Sequence, residues 1–251
     1  MSIKHLARIA VAAGILMNAG LARAQSPPTT GIDDTDGWKT IVYPIHAWLP
    51  VFGADITLPP GGGGGGPTES AKTSGNFNGA ALAGFRVERA RLSIEGEFIW
   101  AGMSGSVEAP RFEITLDTIA FSVLGGFKIA PALYADGGVH RLALNVTASI
   151  LNFEPVTWKP GIWEPVVGLT FRPQLSKTVR IFTQAHLGFS GDDSTRSGAA
   201  NASVEWQPIR HLSVGAGWGW LYQRVDGTIL RGPVHLAQTL NGPIITLGIP
   251  F

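Results

Sequence analysis

The amino-acid sequence predicts an all-β fold: a closed antiparallel up-and-down transmembrane β-barrel of about ten strands, with eight as the alternative count. Three observations carry this expectation. Apolar residues alternate with polar or small ones through most of the 251 residues, which is the two-residue period of a strand. Within single segments, Arg and Glu fall on the face opposite Phe and Trp, the reverse of what a soluble hairpin over a dry core requires. Beyond residue 24 no run of about 18 apolar residues occurs, so a spanning helix is not supported.

The first 24 residues stand apart. Lys4 and Arg8 precede an apolar stretch from Ile9 to Leu21, and "ARA" at Ala22 to Ala24 supplies a small-x-small cleavage pattern. This is the layout of a secretory signal peptide, its apolar part too short to span a bilayer. Residues 25–37 read as a flexible Pro/Gly/Asp leader, and 38–251 as the barrel. Setting aside Lys4, Arg8 and Arg23 moves the formal net charge from +1 to −2, so no basic surface calls for nucleic acid. The chain has no cysteine, which excludes disulfides and thiolate ligands and leaves stability to the sheet and its packing.

The strands follow in order. Trp38 to Leu49 sets Ile41, Tyr43, Ile45, Ala47 and Leu49 against Thr40, His46 and Trp48. Pro50 to Ser74 reads as a loop around the glycine run Gly61 to Gly66, whose ordering would cost maximal backbone entropy; no Lys-Ser/Thr follows, so it is not a phosphate cradle. Asn76 to Glu88 and Leu92 to Trp100 form a hairpin with Arg86, Glu95 and Glu97 on one face and Phe85, Phe98 and Trp100 on the other. Pairing Glu88 with Arg91 would set Gly84 opposite Glu95, with Arg86 diagonal to it. Phe112 to Lys128 sets Ile119, Phe121, Val123 and Phe127 against Thr118, Ser122 and Lys128. Leu133 to Ile150 sets Leu142, Leu144 and Val146 against Arg141, Asn145 and Thr147. Trp163 to Pro173 sets Val167, Leu169 and Phe171 against Thr170 and Arg172. Val179 to Phe189 sets Val179, Ile181, Leu187 and Phe189 against Arg180, Gln184 and His186. Gly198 to Pro208 sets Ala202, Val204 and Trp206 against Ser203 and Glu205. Leu212 to Gln223 sets Val214, Trp218 and Trp220 against Ser213 and three glycines, and His235 to Phe251 closes the set.

Connections alternate short and long, the arrangement of a barrel threaded from one side of a membrane. Closure is required there, because an open edge in hydrocarbon leaves backbone groups unpaired at several kcal/mol each. The polar face predicts a lumen lined by Arg86, Glu95, Glu97, Lys128, Arg172, Arg180, Gln184, His186 and Glu205. Pairing about Ile209 predicts Glu205 opposite Gly215 and Ser203 opposite Gly217, a large/small alternation suited to a filled interior. Aromatic residues toward both strand ends fit interfacial girdles.

Ile245, Leu247, Ile249 and Phe251 share one face of the ending "NGPIITLGIPF". This resembles the C-terminal sorting signature that bacterial outer-membrane barrels present to their assembly machinery. The blocks "YPIHAWLP", "WEPVVGL" and "NGPIITLGIPF" resemble a little-characterised proteobacterial family of small outer-membrane β-barrels, from which the glycine run and Glu164 depart. The resemblance implies the bacterial outer membrane, with its lipid and the barrel assembly machinery as partners and no established reaction.

For catalysis the candidates are His46, His186, Glu95, Glu97, Glu205, Ser190 and the pair Asp192-Asp193. His186 and Ser190 would lie about 13 Å apart on one strand at ~3.3 Å per residue, too far for a nucleophile and its base. The histidines show no metal-ligand spacing, and no metal or cofactor is expected. The reading is a monomeric structural barrel or narrow passive pore. The alternatives are a barrel enzyme acting on outer-membrane lipid and a loop-based adhesion module.

Overall fold

The computed structural model describes residues 37–49, 51–57, 70–73, 76–107, 112–150, 155–190, 195–229 and 232–251. Among the described residues thirteen strands form one sheet: β1 (Lys39–Trp48), β2 (Val51–Thr57), β3 (Ser70–Thr73), β4 (Asn76–Arg89), β5 (Leu92–Val107), β6 (Phe112–Ala130), β7 (Leu133–Ile150), β8 (Val156–Trp158), β9 (Gly161–Phe171), β10 (Val179–Phe189), β11 (Thr195–Ile209), β12 (Leu212–Ile229) and β13 (Gly232–Pro250). Ten of them close on themselves. The order runs β1-β4-β5-β6-β7-β9-β10-β11-β12-β13, every pairing is antiparallel, and β1 also pairs β13. The count is therefore ten, and the eight-strand alternative is set aside.

Alternation builds the wall. Outward residues include Phe85, Phe98, Phe121, Val139, Val167, Leu187, Val204, Trp218 and Ile245, each between 38% and 57% exposed. An exposed apolar face of this extent is what lipid solvates and water does not. On β6 it runs from Ile119 to Ile129, and Asp117 stands above it. Ten residues at ~3.3 Å, tilted about 40°, give a band roughly 25 Å tall, the height of such a barrel's apolar belt.

At one rim, here the inner rim, the turns are tight. Ala90 has φ 49° and Ala132 has φ 62°. In the β4–β5 loop positive φ falls on the first of two residues, a II′-type turn, and in the β6–β7 loop on the residue after Pro131, a type II arrangement. The β11–β12 loop likewise holds only two residues, between paired Ile209 and Leu212.

Several expectations need correction. The β4–β5 turn is Ala90-Arg91, not Arg89-Ala90, so Arg86 lies directly opposite Glu95 and Gly84 opposite Glu97. In β1 the face changes partway: Ile41 is buried, yet beyond an irregularity between Tyr43 and His46 it is His46 and Trp48 that turn inward and Ile45 outward. Pro44 sits in that break and has no N–H to give a ladder. Leu142, Leu144 and Val146 are buried while Arg141 is exposed, the inverse of the predicted facing. The expected loop Pro50 to Ser74 contains β2, which pairs β13, and β3, which pairs β2. β5 runs on to Val107 in the expected loop 105–111, β12 and β13 run through much of the expected loop 224–234, and β8 pairs β7 within the expected loop 151–162. The glycine run, residues 1–36 and Asp192-Asp193 lie outside the described residues.

The reason Leu142 faces inward is that the outer half of the lumen is apolar. Trp48, Leu82, Met103, Leu116, Leu142, Leu144, Val146, Leu221, Val225, Leu236 and Leu240 pack into one buried cluster inside the barrel. The lumen is thus charged near the inner rim and mainly apolar near the outer one, where the buried Gln223 and Gln238 side chains bond to each other.

Candidate functional site

Cross-strand register assembles the polar half of the lumen. Arg86 of β4 faces Glu95 of β5, Arg180 of β10 faces Glu205 of β11, and Glu205 faces Gly215 of β12, with Ser203 opposite Gly217. Glycine at these β12 positions leaves the interior volume to longer neighbours; a Cβ on Gly217 would come within 2.6 Å of Ser203 Cα.

Glu205 is the centre of the innermost tier. Its Oε1 accepts from the Tyr43 hydroxyl at 3.1 Å, and its Oε2 accepts from Arg86 Nη2 at 3.3 Å and from Arg180 Nε. Arg86 Nε stands 2.9 Å from Glu88 Oε1. Arg172, carried just past β9, donates to both Glu88 and Glu95, and Gln184 Nε2 donates to the second Glu95 oxygen at 2.8 Å. Both guanidiniums stand over the Phe182 ring, 5.2 Å from its centroid for Arg86 and 5.6 Å for Arg172, and Tyr134 lies 4.6 Å from Arg172. A ring face carries negative quadrupole, so Phe182 attracts each of these two like charges. Three arginines and three glutamates cancel within this tier, as a low-dielectric interior demands.

Farther along the lumen the partners of the carboxylates change from arginine to histidine. His46 Nδ1 stands 3.8 Å from Glu97, His140 Nδ1 3.4 Å from Glu164, and His186 Nε2 3.6 Å from Asp136. His140 and Glu164 are direct cross-strand partners. Gly168 separates Asp136 from His186 in register, and a side chain there would collide with the imidazole, so this glycine is what lets the pair approach. Ser197 donates to Glu164 at 2.6 Å and Thr170 to Asp136 at 2.5 Å. Three cavities run along this region, of about 80, 60 and 60 Å³, and Glu97 lines all of them.

Of the predicted lumen residues, Arg86, Arg172, Gln184 and Glu205 are buried, and Glu95, Glu97, Lys128, Arg180 and His186 are half-buried. All but Lys128 have the ionic or hydrogen-bonding partners given above. Glu88, Tyr43, Phe182, Asp136, His140 and Glu164 join them without having been in the predicted set. Glu88 was legible as Arg86 plus two, on the same face. His140 was hidden because its strand was read with the opposite side inward.

The catalytic candidates that fall among the described residues stand in separate bonding arrangements. The Ser190 hydroxyl accepts from the Thr195 N–H at 3.0 Å and donates to its carbonyl at 3.5 Å. His186 stands 3.6 Å from Asp136, and Ser197 donates to the Glu164 carboxylate. Among the described residues no three His, Asp or Glu side chains are grouped to hold a metal ion.

No protein-family model matches the chain, and no curated protein sequence does. Among solved structures the chain is similar to the attachment invasion locus protein Ail of Yersinia pestis in complex with the heparin analogue sucrose octasulfate, with 10% identity over 86% of this chain and 100% of that one, at a TM-score of 0.37. It is similar also to the translocator domain of the autotransporter NalP from Neisseria meningitidis, with 14% identity over 95% and 97% of the two chains and a TM-score of 0.39. For the outer membrane protein OprG from Pseudomonas aeruginosa the values are 9%, 86%, 96% and 0.39. The closed barrel described above follows from the strand pairings of this chain itself.

Proposed function

We propose that this chain is a bacterial outer-membrane β-barrel with a structural role, monomeric, in contact with outer-membrane lipid, and closed to bulk ion flow. The observation that carries the closure is the filling of the lumen at two levels. Nearer the inner rim the side chains of Glu205, Arg86, Arg172, Glu88 and Glu95 bond across the interior. Nearer the outer rim Met103 and Leu240 are fully buried among apolar neighbours. An ion entering from either end meets a cross-linked charge tier or an apolar plug, and ten strands enclose little space beyond those side chains. The band of exposed apolar residues on a closed wall supports the membrane location.

A second reading, the narrow passive pore, draws support from the cavities that share Glu97, which would be its middle section. Planar-bilayer recording of the refolded barrel separates the two. A closed barrel gives no discrete steps above the bare-lipid baseline. Steps that change with Glu95→Gln or Arg180→Gln would overturn the closed reading and establish the pore.

A further inference from the structure

We propose that the mid-lumen cavity beside Glu97 is a binding site for a small amino alcohol, a molecule carrying an ammonium group and a hydroxyl a few atoms apart. The charge arrangement gives the first argument. Glu88, Glu95 and Glu205 are matched by Arg86, Arg172 and Arg180. Among the described residues, the ion-pair partners of Glu97, Asp136 and Glu164 are histidines alone, with no arginine or lysine among them. Asp136 and Glu164 have hydroxyl donors from Thr170 and Ser197. Glu97 has His46 at 3.8 Å, and its carboxylate looks into the cavities. The Glu97 side chain is 34% exposed and so can be reached from the cavity, and a carboxylate there with no arginine or lysine beside it favours a positive guest.

The second argument comes from unmatched hydrogen-bonding atoms around the same space. His46 Nε2, Trp48 Nε1 and Asn201 Oδ1 are buried without a hydrogen-bond partner, and all three residues line the cavity with Glu97. Trp48 is only 5% exposed. Asn201 Oδ1 accepts, His46 Nε2 accepts in the tautomer that turns its Nδ1 hydrogen to Glu97, and Trp48 Nε1 only donates. An ammonium group satisfies the carboxylate and the two acceptors, and a hydroxyl oxygen satisfies the indole N–H. The far wall, Leu82, Ile99, Leu221 and Ile244, accommodates the methylenes. The cavity of about 60 Å³ holds a guest of a few heavy atoms, given that one water needs roughly 10–15 Å³ on the same measure.

The test is methyl NMR on the full barrel in zwitterionic micelles at pH 8, following the Ile99 and Ile244 methyls while ethanolamine hydrochloride is added, with ethylene glycol as the neutral molecule of the same size. The expected result is saturable shifts at both methyls with ethanolamine, on the order of millimolar for so small a ligand, at least tenfold weaker with ethylene glycol and at least tenfold weaker in Glu97→Gln. Should Glu97→Gln fail to fold, the comparison of the two ligands on the unaltered protein decides. Equal response to both ligands, an unchanged response in the folded variant, or no saturable shift would overturn the site. None of these outcomes depends on whether the barrel conducts.

Discussion

Replacing Glu205 by glutamine tests the lumen most directly. The Glu205 side chain is 6% exposed and serves two guanidiniums and a phenol. Glutamine keeps an acceptor for Tyr43 and fills the same space, so the change is the loss of one negative charge. Arg86 retains Glu88 at 2.9 Å. Arg180, with a side chain 19% exposed, has no second carboxylate partner among the described residues. Breaking a buried pair by removing one partner costs about 3–5 kcal/mol, and the partial exposure of Arg180 argues for the lower end, about 3 kcal/mol. Reversible urea unfolding in lipid vesicles measures it, and adding Arg180→Gln to the variant should recover about 2 kcal/mol, because the stranded cation then disappears. A loss below about 1 kcal/mol, the value of a solvent-exposed pair, would refute the reasoning and place Glu205 in water.

Three further outcomes are expected. Ala216→Arg, which puts a charge on the outward face of β12 within the apolar band, should cost about 2–4 kcal/mol in the same unfolding assay, whereas Asp117→Arg above the band should cost no more than about 1 kcal/mol. Gly217→Val should prevent closure of the β11–β12 hairpin, since its side chain meets Ser203 and the Ala202 carbonyl; the heat-resistant compact band on gel electrophoresis should be lost, and retention of that band would count against the register. Above the band, burial works to raise the Asp226 pKa, but hydrogen bonds from His235 at 2.8 Å and Arg224 at 3.1 Å outweigh it and hold the carboxyl below its ordinary value. A depressed carboxylate contributes stability present above its unfolded pKa, near 4, and lost as pH falls through the folded value. Amide exchange at residues 224–227 and 235–237 should therefore quicken on acidification below about pH 4, and Asp226→Asn should remove that dependence.

Alternation made the strands legible, and it failed where both faces have the same polarity. β7 and β10 begin and end at the predicted residues, Leu133–Ile150 and Val179–Phe189, because charged or turn-forming residues bracket each run. Period two separates two faces without saying which one is inside. For β10, Arg180 and Gln184 identify the lumen. For β7 the rule misleads, because Leu142 and Leu144 enter an apolar plug while Arg141 lies over the Trp163 ring at 5.4 Å on the outside. Pro44 carried the remaining signal: a proline inside an alternating run marks a place where facing changes, and reading it so would have put Tyr43 and His46 on the same side. The pairing of Arg172 with Glu88 and Glu95 crosses from β9 to β4 and β5, which no local pattern encodes.

The junction of β1 with β13 is short and broken at Pro44, whereas β12 and β13 stay in register from Ser213↔Gly248 to Ile229↔Gly232. A cylinder stitched unevenly has a preferred line of parting. Under load, or while the chain is still assembling, backbone amides come free more readily along that line than along the long β12–β13 seam, and a neighbouring strand with matching polarity would find an opening there before it found one beside β12.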